Sequence, residues 1–262
     1  GALTVDGGKD VTTTSTGATT GTVTIGGTTA PVGAVNVTYT NTWVDANGDT
    51  TDTGGAIAVT GGTTVSVTSN QLTGVSGAAA DIAVIGAVTV TGKATTTAAT
   101  VIQTAASART SATIVAVKNA AVTIADLNAT STTKAGTIAE ATLTNYGNST
   151  ISSGALTTVN ISGKSGTLGI TNNLTAPAST ALTINANGLA YVNAGSTNAI
   201  TLDTVYKTLT IDSSTVKSTV ADITSSAITS LTVTGAKLLT LTDWSLSNAA
   251  LAITSTNTAG VA

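Results

Sequence analysis

The sequence predicts an all-β chain, and within that class a β-solenoid (parallel β-helix) with irregular rungs. Three observations lead there: β-branched residues alternate with small polar ones from end to end, the alternating segments come as pairs at solenoid-like intervals, and no helical segment competes. An antiparallel β-sandwich is the alternative, because strands at roughly 8–12-residue spacing with turn residues between them suit that fold too.

The alternation runs in two series. Val23/Ile25, Val35/Val37, Ile57/Val59, Val65/Val67, Ile82/Val84, Val88/Val90, Val115/Val117 and Val122/Ile124 form the first. Val159/Ile161, Leu168/Ile170, Leu182/Ile184, Ile200/Leu202, Leu209/Ile211, Leu231/Val233, Leu239/Leu241 and Leu251/Ile253 form the second. Between the members of each pair stands Thr, Ser, Asn, Ala or Gly, the period-two pattern of a half-buried strand. About a quarter of the chain is threonine, whose branched Cβ suits a pleated backbone while its hydroxyl faces water.

The strands starting at Ile57 and Val65, Ile82 and Val88, Val115 and Val122, and Leu143 and Ile151 read as close pairs whose first members step by 25, 33 and 28 residues, within the 20–50-residue range of stacked repeats. Two strands around a Gly-rich corner such as Gly61-Gly62, followed by a longer return leg, make one coil. Thr, Val, Gly and Asn are poor helix formers, and the Ala-rich stretch from Thr95 to Arg109 is expected as a loop or one helical turn. The 262 residues are read as a single elongated segment of a larger protein, with a possible sub-boundary near 135–150.

Composition narrows function. His, Cys, Met and Phe are absent, so there is no side chain that ordinarily titrates near neutrality, no thiol nucleophile and no disulfide. The expectation is a non-enzymatic protein. Nine Lys and Arg stand against twelve Asp and Glu, a balance without the concentrated basic face that nucleic acid requires. No apolar run approaches the ~20 residues of a membrane span.

One segment has metal-ligand character. Asp45, Asn47 and Asp49 place oxygen ligands at alternating positions, and Asp52 adds a carboxylate, a set that suits one calcium ion. It departs from an EF-hand loop, since Gly48 is at the fourth position and Ala56 at the twelfth. The alternative is that Asn47-Gly48 forms a type I′ hairpin turn between solvated aspartates. Asp6-Gly7-Gly8-Lys9-Asp10 reads as a turn between strands. Threonine pairs such as Thr142/Thr144 and Thr208/Thr210 each point to one face, but the varying coil lengths argue against a regular hydroxyl lattice, which leaves them as solvent-facing filler.

Three stretches carry a family resemblance: Gly55-Ala56-Ile57-Ala58-Val59-Thr60-Gly61-Gly62-Thr63, Ser153-Gly154-Ala155-Leu156-Thr157-Thr158-Val159-Asn160-Ile161-Ser162-Gly163 and Leu182-Thr183-Ile184-Asn185-Ala186-Asn187-Gly188-Leu189. They resemble the central region of Gram-negative surface-layer (S-layer) proteins of the Caulobacter-like, type-I-secreted, RTX-related kind. The resemblance rests on biased composition and is clearest from about Gly54 to Ser214. It implies a structural, extracellular component of a bacterial surface layer that self-assembles into a lattice or filament with copies of itself. It also implies calcium in assembly and lipopolysaccharide anchoring through regions absent here. The GGxGxD calcium repeats of that family are missing, so neither calcium nor lipopolysaccharide binding transfers to particular residues. A stalk or binding module of a secreted adhesin is the alternative role.

Overall fold

A computed structural model describes residues 1–18, 21–42, 51–73, 81–107, 114–191 and 198–262. Those residues fold as an all-β chain in which two ten-stranded sheets run the length of the molecule. Parallel strands, visited alternately by the chain, are the arrangement of a parallel β-solenoid.

The first sheet stacks Leu3–Val5, Val23–Ile25, Ile57–Thr60, Val88–Thr91, Val122–Ala125, Ser149–Ser152, Leu168–Thr171, Ile200–Leu202, Ile223–Ser225 and Ser245–Leu246 in that order. The second stacks Val11–Ala18, Val35–Thr42, Thr64–Thr73, Ala98–Ser107, Glu140–Tyr146, Thr158–Ser165, Ala181–Tyr191, Thr208–Asp212, Ser230–Thr234 and Ala252–Ser255. Each coil contributes one strand to each sheet. Three early coils return through a small third sheet, Thr51–Thr53, Asp81–Val84 and Ile114–Lys118, and two late ones through the pair Ser218–Val220 and Leu239–Leu241.

Register explains the sequence pattern. Val23, Ile57 and Val88 face one another in successive first-sheet strands, as do Ile25, Val59 and Val90. In the second sheet Val37, Val67, Val101, Leu143 and Ile161 form one inward column. All of these are buried. The core between the sheets is therefore a stack of thin Val, Ile and Leu layers, each side chain contributing about 1.5–3 kcal/mol of burial.

Coil length varies from 18 residues, Leu143 to Ile161, to 42, Val101 to Leu143. The variation falls in the corners and return legs, while the strands keep register. Thr158, Thr183, Thr210, Thr232 and Thr254 consequently stand in one unbroken outward column. Irregular rungs thus leave this outer column of hydroxyls in register.

Three further expectations are corrected. Ala98–Ser107 is a ten-residue strand rather than a loop or helical turn, because it is laddered on both sides and Ala99 fits the narrow layer opposite Ala141. Ile82 does not pair with Val88 as one coil: Asp81–Val84 closes the preceding coil through the third sheet, and Val88 opens the next. Ile253 is 49% exposed, since the last coil has no described strand beyond it. Across 135–150, Glu140–Tyr146 pairs on both flanks and both sheets continue.

A column of small residues sits two positions before the first-sheet strands, at Gly21, Gly55, Gly86, Gly147 and Gly166. The backbone there packs on the neighbouring coil: a Cβ on Gly55 would lie 1.7 Å from the Gly21 carbonyl oxygen, and one on Gly86 1.9 Å from that of Gly55. In the fifth coil Ala120 takes this place, and the buried Gln103 amide braces it, accepting from Ala120 N at 2.8 Å and donating to Ala120 O at 3.0 Å.

Candidate functional site

Asp45, Asn47 and Asp49 lie outside the described residues, as do Trp43 and Arg109. Of the calcium set, only the backbone of Asp52 is placed: it pairs with Ala83 in the third sheet. The strands flanking the segment, Val35–Thr42 and Thr51–Thr53, belong to different sheets, so they are not the two arms of one hairpin. Among the described residues, no three Asp, Glu, His or Cys side chains come together to hold a metal ion.

Asp6-Gly7-Gly8-Lys9-Asp10 forms the first corner between the sheets, with φ of 75° at Gly7 and 97° at Gly8. Its carboxylates reach to the next coil. Asp6 Oδ1 accepts from Thr28 N at 2.7 Å and Asp10 Oδ1 from Ala34 N at 2.8 Å.

The same corner in the fifth coil holds the most constrained carboxylate. Asp126 directly follows the strand Val122–Ala125 and is 3% exposed. Its Oδ2 accepts from Thr137 N and Ile138 N, each at 2.7 Å, closing the long loop that joins the two sheets. The Ser153 hydroxyl of the next coil is shared between that oxygen, 3.0 Å away, and the Ile138 carbonyl, 2.8 Å away. Oδ1 is buried without a protein partner, and Gly136 is packed so closely that a Cβ would fall 2.1 Å from the carboxyl carbon. In the next two coils Ser153 and Asn172 occupy the corresponding position, and each accepts from the amide two residues on, as Ser225 does at the end of the strand Ile223–Ser225. The sequence carries a signal for these corners, an Asp, Ser or Asn two residues after the last inward apolar residue of a strand, that strand reading alone does not use.

Beside this corner lies a cavity of about 290 Å³, lined by Ala135, Gly136, Gly154, Ala155, Leu156, Thr157, Ala178 and Ser179. Its hydroxyls are engaged: Thr157 donates to Ala139 O, and Ser179 Oγ accepts from Ala181 N. Neither is paired with a general base, so the lining offers a small, weakly polar recess rather than an activated nucleophile.

Tyr39, Tyr146 and Tyr206 are interior groups. Burial pushes Tyr146 far above the usual phenol range against a hydrogen bond to Ser165, and burial, with Asp203 nearby, does the same for Tyr206 against a hydrogen bond to Asn172. Both stay neutral while an unfolded chain ionises near pH ~10. Their burial therefore contributes fully below that pH and is lost as pH rises above it, because only the unfolded state releases protons there. We expect the urea midpoint to fall steeply above pH ~10, and Tyr146→Phe with Tyr206→Phe to flatten that fall; a midpoint equally pH-sensitive in the double variant would contradict the assignment.

No protein-family model matches the chain, and no curated protein matches it. Function is accordingly read from architecture. The described residues supply stacked coils, corners locked by Asp, Ser and Asn, and dispersed surface charge. No helix among them is long and apolar enough to cross a membrane.

Proposed function

We propose that this chain is a structural, self-associating component of a bacterial surface layer, displayed outside the cell and acting through contacts with copies of itself rather than through catalysis. The observation that supports the reading most is the uninterrupted pair of ten-stranded parallel sheets, whose outer positions are mainly Thr, Ser, Asn and Ala. Such a body derives its rigidity from nearest-neighbour coil contacts repeated along one direction. It presents long, chemically uniform faces, which suit a repeating assembly better than a single ligand. The absence of His and Cys from the sequence and the local engagement of Asp126 agree with a structural role. The resemblance of Gly55–Thr63, Ser153–Gly163 and Leu182–Leu189 to surface-layer bodies points the same way.

Sedimentation velocity over a rising concentration series, with and without millimolar calcium, tests it. The expected result is association that grows with concentration. If calcium strengthens it, Asp45, Asn47, Asp49 and Asp52 are the residues to replace. A monomer at every concentration, with and without calcium, would overturn the reading and favour an adhesin stalk.

A further inference from the structure

We propose that the outer face of the second sheet, from Val35–Thr42 through Ala181–Tyr191, is a contact surface for the same face of a second copy of this chain. The proposal rests on the self-associating reading above and names the surface that carries it.

Size is the first support. The six strands are seven to eleven residues long. With strands about 4.8 Å apart and about 3.3 Å per residue, they present about 850 Å², close to the ~800 Å² per partner of a stable protein interface.

Charge is the second. These six strands contain two charged residues, Glu140 and Lys164. Glu140 stands at the strand start, where its Oε1 accepts from Asn160 Nδ2 at 2.7 Å. Two such faces can approach without opposing blocks of like charge.

The third support concerns desolvation. Covering a polar face costs free energy when its groups lose water without replacement. Here many of them already bond along the stack: Asn185 Nδ2 donates to Asn160 Oδ1 at 2.7 Å, the Thr104 hydroxyl donates to Asn70 Oδ1, and the Thr144 and Ser162 hydroxyls are 2.9 Å apart. Side-chain ladders of this kind are what dry sheet-to-sheet interfaces contain. Among them Ile102, between Thr68 and Thr144 in register, places an apolar side chain on the outer face.

The test compares sedimentation of the full chain with that of Ile102→Lys/Thr144→Lys, and with Thr123→Lys on the exposed outer face of the first sheet as control. The double variant is expected to need at least tenfold higher concentration to associate, while Thr123→Lys behaves as wild type. Should the Ile102 change lower the unfolding midpoint, Thr68→Lys/Thr144→Lys replaces it. A double variant that associates like wild type overturns this face as the contact but leaves self-association standing. A wild-type chain that stays monomeric overturns both.

Discussion

Replacing Gly55 with alanine is expected to lower stability by about 3 kcal/mol or more, enough to abolish most of a marginal fold. The added Cβ would lie 1.7 Å from the Gly21 carbonyl oxygen, and backbone on a laddered coil cannot rotate away as a flexible side chain can. Relief requires parting two coils, which also disturbs the bond from Val23 N to Ala56 O at 2.9 Å. Gly169→Ala is the matched control. It lies on the outer face of Leu168–Thr171, where a Cβ meets only the Thr150 methyl at 3.7 Å. Its replacement is expected to be neutral or stabilising by about 0.5–1 kcal/mol, through reduced unfolded-chain entropy. Urea unfolding of both variants checks the pair; equal midpoints would show that the corner does not depend on close backbone approach.

Asp126→Ala is expected to cost about 3 kcal/mol and to loosen the 127–139 loop before the rest of the solenoid. The substitution leaves the amides of Thr137 and Ile138 without their acceptor, and the backbone of Ile138 is enclosed with its fully buried side chain. It also removes the link to Ser153 in the following coil. Asp126→Asn keeps one carbonyl oxygen for the two amides and should lose about half as much. Amide hydrogen exchange reports this directly: Thr137 and Ile138 should lose protection in Asp126→Ala while Val122 and Ile124 keep theirs. Unchanged protection at Thr137 and Ile138 would remove Asp126 from the corner's support.

Much of this architecture is legible as alternation. Val23/Ile25, Ile57/Val59, Leu182/Ile184 and Leu231/Val233 read directly as strands because one face of each is buried and the other is not. The phase of the coils is harder to read. Strands of three sheets follow one another with similar spacing, so Ile82 and Val88 look like partners although a corner between coils separates them. Ala98–Ser107 escapes for another reason: alanine carries no strand preference, and its suitability at position 99 comes from the narrow layer it shares with Ala141, a contact 42 residues away. Corners are the least legible, since the carboxylate of Asp126 acquires its partners only when 137, 138 and 153 are brought to it by stacking. The glycine column was visible in sequence as Gly-x-apolar-x-apolar at Gly1, Gly21, Gly55 and Gly86, yet its meaning is the closeness of the next coil's backbone.

The role proposed for these coils is tested most directly by electron microscopy of the purified chain, with and without millimolar calcium. Ordered sheets or filaments are predicted. Well-dispersed single particles in both conditions, at concentrations where the protein is folded, would contradict a self-assembling structural role.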